Sequence, residues 1–361
     1  MQGRRAGLDL IRGVAIALVL LRHAWPATFG SAGIVGVVAF FALSGYLITG
    51  LLMADVERHG RVRYGRFYRH RALRLLPPMI LMLAVLAVVT VVADPLGDRD
   101  GLARALLVAI TYTGNLPIAL GSEAIGHLWT LATEEQFYLI WPLLLSFAMR
   151  RGRVRTVVVL SAAAIAVALA VSIALNAPDF SLIYRYPASW ALAMVIGAAA
   201  RLWSAPIATM LPTGRAAREL LGIGAVLTLG ALAFLPAGKY SVWSYVLLGP
   251  IVALITGVLI HVWQDWRELP ARWLRPLHAL GVISYAAYLW NFPITLWVAS
   301  ITDAPWAPVL GIAVTIAAAT ISWWTVEVPA RRWRRRLDER AGEIATREIA
   351  PEPAARGARG R

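Results

Sequence analysis

Apolar residues in this chain come in long continuous runs rather than in alternation, and polar residues collect in the short stretches between them. Segments such as 33–53, 75–93, 156–175 and 307–327 are dominated by Ala, Val, Leu, Ile and Gly. Runs of that kind approach the ~20 residues a helix needs to cross the hydrocarbon of a bilayer. Applied along the whole chain, the pattern predicts ten spans: 8–28, 33–53, 75–93, 129–149, 156–175, 187–203, 219–236, 243–263, 277–299 and 307–327. Strands of an outer-membrane barrel would alternate with a period of two, which these runs do not. The expected fold is all-α, a polytopic transmembrane helical bundle.

Composition agrees, with 59% hydrophobic and 15% charged residues and a mean hydropathy of +0.65. There is no cysteine, so disulfides, thiolate metal sites and a cysteine-bound acyl intermediate are excluded. No metal site and no permanently bound cofactor is expected. The basic residues set the threading. With the N-terminus in the cytoplasm, 29 Arg fall in cytoplasmic segments, while Arg99, Arg104, Arg185 and Lys239 fall outside. That asymmetry predicts a multi-pass protein of the cell (inner) membrane with both termini cytoplasmic. It also decides residues 102–120, LARALLVAITYTGNLPIAL. An eleventh span there would invert the Arg-rich loops after it, so the segment is expected to be re-entrant or interfacial, interrupted at Gly114, Asn115 and Pro117.

The net charge of +15 is therefore dispersed over cytoplasmic loops facing anionic lipid, and nucleic acid is not an expected partner. The first span carries Asp9, Arg12, Arg22 and His23, unlike the apolar part of a cleaved export signal. No internal repeat relates the two halves. Residues 1–330 are expected to form one membrane domain and 331–361 a basic cytoplasmic tail. Within the tail, RRWRRRLDER suits an interfacial helix with Trp333 at the headgroups, and APEPAARGARGR suits disorder.

Arg12 and His23 stand out because an ionisable side chain inside a span is costly unless something uses it. Their separation of eleven residues is close to three helical turns, which puts both on one face about 16 Å apart. Snorkelling of Arg12 and a polar packing contact for His23 are the plain alternatives.

Several motifs then occur in order: GLDLIRGVAIALVLLRH at the start, GVVAFFALSGYLIT at 36–49, FYRHRALRLLPP at 67–78, HLWTLATEEQFYLIWP at 127–142, ISYAAYLWNFP at 283–293 and VEVPARR at 326–332. Together they resemble the integral-membrane acyltransferase 3 family, over residues 5–332. The resemblance implies transfer of an acetyl or other short acyl group from acyl-CoA to a hydroxyl of a carbohydrate, a cell-envelope glycan or a small molecule. It further implies a catalytic role for His23 and acyl-CoA engagement by Arg12, Arg71 and Arg74, and it aligns Trp129, Thr130, Leu131, Glu134, Gln136, Phe137 and Tyr138 with one family motif. Val38 and Asn291 depart from the pattern, standing where many members carry Asp and His. Asn291 can donate and accept hydrogen bonds but cannot act as acid or base near neutrality.

Acyl transfer to a hydroxyl needs a proton acceptor, and a neutral imidazole serves near physiological pH. His23 is given that role. Glu134, at similar depth on the adopted topology, is expected to orient it, with a partner for Arg22 or a helix contact as the alternative for Glu134. Glu135 must face elsewhere. Arg12, Arg71 and Arg74 would hold the donor's phosphates from the cytoplasmic side. Trp129, Gln136, Tyr138 and Asn291 are candidates for substrate contact. His127 is expected at the outer entrance, Ser44 and Gly45 in helix packing, and Trp129, Trp141, Trp290, Trp323 and Trp324 as interfacial anchors. No esterase-like extension is expected after the last span, so any finishing of transfer outside would use another protein or none. A small-solute transporter is the competing reading and would show paired broken helices in two halves, whereas one interrupted segment is visible in the sequence. A catalytically silent family member is the third.

Overall fold

The computed structural model describes residues 5–349, with side chains for 5–339. Among these residues the chain is helical, with no strand. The α-helices are α1 (Ala6–Ala24), α2 (Ala32–His59), α3 (Tyr64–Val92), α4 (Leu102–Ile110), α5 (Trp129–Arg150), α6 (Val154–Asn176), α7 (Pro187–Trp190), α8 (Leu192–Leu202), α9 (Ser204–Met210), α10 (Arg215–Ala233), α11 (Gly249–Trp263), α12 (Arg275–Val282), α13 (Ser284–Ile301), α14 (Ala307–Ser322) and α15 (Val328–Ile349).

Six helices are long and apolar enough to cross a bilayer, or eight if the bent pairs α8–α9 and α12–α13 are each one span. The expected ten is not reached on this measure, and the physical reason lies in α1 and α5. Both have span length, 19 and 22 residues, but α1 carries Asp9, Arg12 and Arg22, and α5 carries Glu134, Glu135 and Gln136. Residues 102–120 do not cross, because α4 has only nine residues and irregular chain follows it. Two bends, 81° between α8 and α9 and 71° between α12 and α13, leave no mark in the sequence pattern as interruptions.

At the centre, α2 packs on α1 and α8, with α11 closing over both α2 and α8. A close approach of backbones makes this possible. A Cβ on Gly45 would lie 1.9 Å from the Met194 carbonyl, and one on Gly197 the same distance from the Ala42 carbonyl. Small residues at such crossings replace the hydrophobic drive that lipid does not supply. The same device holds α1 to α12, where Gly281 faces the Asp9 carbonyl and Gly13 the Leu277 carbonyl. By contrast α3, α6, α10 and α14 turn most of their apolar surface outward, as lipid-facing helices do: only 11% of the apolar stretch of α6 is buried.

The start of the tail belongs to the bundle. The last transmembrane helix runs through a π-turn (Trp323–Glu327) straight into α15, whose Asp338 accepts from His70 Nε2 at 2.8 Å and lies 3.4 Å from Arg66 Nε and 3.8 Å from Arg69 Nη2 on α3. Trp333 is largely exposed. The stretch expected to be disordered, residues 350–361, lies outside the described residues.

Candidate active site

His23 occupies the last turn of α1 and is half-buried. Its Nδ1–H donates to Asn291 Oδ1 on α13. Asn291 is 1% exposed and its orientation is fixed from behind. The Thr295 hydroxyl donates to the Asn291 carbonyl at 2.8 Å, which leaves the hydroxyl oxygen to accept from Asn291 Nδ2 at 3.5 Å. The amide oxygen is thereby turned to the imidazole. Because an amide oxygen can only accept, the proton stays on Nδ1 and the Nε2 lone pair is left available. A fixed acceptor behind the imidazole, setting the tautomer of the base, is the logic of His-Asn pairs in nucleophilic enzymes.

The expected partner of His23, Glu134, is elsewhere. Its Oε1 accepts from the Ser44 hydroxyl on α2 at 2.7 Å. α5 packs chiefly on α2 and α6, while α1 packs on α2, α12 and α13, so similar depth does not bring the two side chains together. The hydrogen bond to His23 expected of Glu134 is made instead by Asn291, a residue that the family pattern marks only as a departure. Val38, the other departure, is fully buried among apolar neighbours in the core.

Phe292 stands beside the imidazole at 4.9 Å between ring centroids, and its ring also meets that of His127 at 5.4 Å. His127 is buried rather than at an entrance. It sits in a 3₁₀ turn (Glu123–Leu128) with the Ala124 and Leu289 carbonyls nearby, but neither ring nitrogen closes a hydrogen bond. The turn is pinned by its own backbone: the His127 carbonyl accepts from Tyr288 Oη at 2.7 Å and from Thr130 Oγ1 at 3.3 Å, and Thr130 and Tyr288 meet at 2.6 Å.

A second polar group forms one turn further along α5. Arg71 Nε donates to Glu135 at 2.9 and 3.0 Å and its Nη2 donates at 2.6 Å, with the guanidinium 3.1 Å from the centre of the Tyr138 ring. Glu134 and Arg74 lie within the same field. Arg71 is therefore committed to Glu135 and Tyr138. Arg74 is exposed and faces the repulsion of Arg334. Gln136 and Asn115 exchange hydrogen bonds at 2.8 and 3.0 Å, tying the irregular chain after α4 to α5. Trp129 is buried edge-on between Phe41 and Tyr184. Trp141 is buried too, donating to Thr49 at 2.9 Å, and so is Trp290. These three are core residues, not anchors at the membrane surface; Trp324 is exposed as an anchor would be.

The third group is at the start of α1. Arg12 Nη1 donates to Asp9 at 3.1 Å, and Asp9 lies 4.0 Å from His278 Nε2 on α12. Residues 5–327 match the family model described as an acyltransferase domain. The chain belongs to the acyltransferase 3 family. Its similarity to curated proteins is 28% identity over 349 residues to the O-acetyltransferase OatA of Staphylococcus aureus, covering 90% of this chain and 57% of that protein. To the peptidoglycan O-acetyltransferase OatA of Listeria monocytogenes it is 26% over 352 residues, covering 90% and 55%. The chain therefore spans a little over half the length of the curated relatives it matches. No solved structure matches it.

Proposed function

We propose that this multi-pass membrane protein is an O-acyltransferase that moves an acetyl or short acyl group from acyl-CoA to a hydroxyl of a cell-envelope glycan. The observation that carries the reading is the His23–Asn291 pair: a half-buried imidazole, on the helix that opens the family's first motif, with its proton held on the far nitrogen. As the acceptor oxygen attacks the thioester carbonyl, His23 Nε2 takes the hydroxyl proton. Asn291 Oδ1 steadies the imidazolium that forms through the Nδ1–H bond. When the carbon–sulfur bond breaks, the same proton passes from Nε2 to the departing CoA sulfur, returning the imidazole to its resting tautomer. The names of the relatives favour peptidoglycan as the acceptor and acetyl as the group.

On this reading Arg12 belongs to the donor's side of the membrane, Glu134 and Ser44 shape the wall between α2 and α5, and Arg71 holds α3 to α5 rather than contacting phosphate. The membrane is the cell membrane, with both termini cytoplasmic where acyl-CoA is made. The two bent helix pairs bear on the transporter alternative, but their breaks, at Trp203 and Ile283, carry no ionisable group to bind a solute or proton. The test uses purified full-length protein in lipid nanodiscs with radiolabelled acetyl-CoA and a panel of muropeptides and oligosaccharides. Label appearing on a hydroxyl as an alkali-labile ester supports the proposal. Uptake of a solute into vesicles with no ester formed would overturn it.

A further inference from the structure

Between α11 and α12 the chain turns back across the beginning of α1 and encloses a cleft of about 420 Å³, lined by Ala6, Arg267, Glu268, Arg272, Arg275 and His278 among others. That volume is in the usual range of small-molecule sites. Arg267, Arg272 and Arg275 have no carboxylate within ion-pairing distance among the described residues, although Glu268 lines the same cleft. Arg71 is the opposite case, its fork already closed on Glu135. Guanidinium groups left open in a concave site suit a ligand with several phosphates.

The cleft and the His23–Asn291 pair lie along the same two stretches of chain, α1 and the bent α12–α13 pair. Ala6 and His23 stand at the two ends of α1, seventeen residues and so about 25 Å apart. Arg275 and His278 stand on α12, and Asn291 stands on α13 beyond the 71° bend. Between the ends lies Arg12, held by the Asp9 that also neighbours His278. Such a layout asks for an elongated ligand with its charge at one end and its reactive group at the other. We propose that the cleft holds the phosphates of the nucleotide end of the acyl-CoA donor, with Arg267, Arg272 and Arg275 as its anchors in place of Arg71. This rests on the reading of acyl-CoA as the donor.

Binding of radiolabelled acetyl-CoA to the full chain in phosphatidylcholine nanodiscs tests it, comparing wild type with the double variant Arg272→Ala/Arg275→Ala and with the charge-matched Arg153→Ala/Arg155→Ala, which lies at the exposed start of α6 where the α5–α6 loop ends. A phosphate contact worth at least ~1.4 kcal/mol corresponds to about tenfold per arginine, so the cleft variant is expected to bind about 100-fold more weakly. The loop variant is expected to bind as wild type does. Equal affinity in wild type and the cleft variant overturns the cleft assignment. So does a cleft variant that differs only in releasing phosphatidylglycerol from mixed discs, since the arginines would then hold lipid headgroups. If wild type itself binds no acetyl-CoA, the donor reading fails before the cleft is reached.

Discussion

Asn291→Ala removes the one hydrogen bond that fixes the His23 tautomer, and its effect can be worked from the bond itself. While the imidazole is neutral, its N–H to an amide oxygen is worth about 0.5–1.5 kcal/mol; once the ring is protonated, a bond to a charged group is worth about 1.5–3 kcal/mol. Only the difference, roughly 1–2 kcal/mol, is gained on the way to the transition state, so kcat should fall about 5- to 30-fold. KM for the acyl donor should not change, because Asn291 lies beyond the bend of the α12–α13 pair from the arginine cleft. Asn291→His, the residue that many family members carry there, presents a ring nitrogen that can accept, and should recover most of the rate. The assay is initial-rate ester formation from labelled acetyl-CoA, normalised to folded protein by thermal unfolding in the same detergent. A kcat within twofold of wild type for Asn291→Ala would refute the tautomer argument, as would a loss equal to that of removing the imidazole.

Other substitutions follow from the packing. Gly45→Ala and Gly197→Ala each drive a methyl into a facing carbonyl at 1.9 Å, and should destabilise by about 1–3 kcal/mol in denaturant titrations, whereas Gly230→Ala, with open space around it, should be neutral or slightly stabilising. Arg71→Ala leaves the half-buried Glu135 without its partner and should cost about 1–3 kcal/mol, while Arg71→Met/Glu135→Leu should recover most of that in the same titration. If Arg71→Ala instead leaves stability intact and raises KM for the donor, its assignment as a structural residue is wrong. Tyr288→Phe loses its bonds to the His127 carbonyl and Thr130 and should lower stability by about 1–3 kcal/mol, read as a lower thermal midpoint.

The bundle is legible in the sequence because lipid imposes continuous apolar runs. What the runs do not report is which face of a polar span such as α1 or α5 meets which neighbour, because Asp9, Arg12, Glu134 and Glu135 find partners on other turns and other helices. The pairing of His23 with Asn291 joins residues 268 positions apart, and no local pattern reports it. Its only trace is that the family's His is here an Asn, which by itself signals a loss of acid–base capacity rather than a change of role. Glu134 is misplaced from sequence because depth along two helices says nothing of the crossing that decides which faces meet. Trp129, Trp141 and Trp290 defeat the sequence pattern because an aromatic near a span end suits a headgroup or a core equally until the neighbouring helix is known. Glu135 does separate from Glu134 as expected, since consecutive helical positions point about 100° apart.

The most direct test of His23 as the base is the rate of ester formation by His23→Ala at saturating acetyl-CoA, in nanodiscs holding equal amounts of folded protein. Loss of a positioned general base should lower it about 10²- to 10⁴-fold while acetyl-CoA still binds. A rate within a few fold of wild type would place the proton acceptor elsewhere and contradict the account.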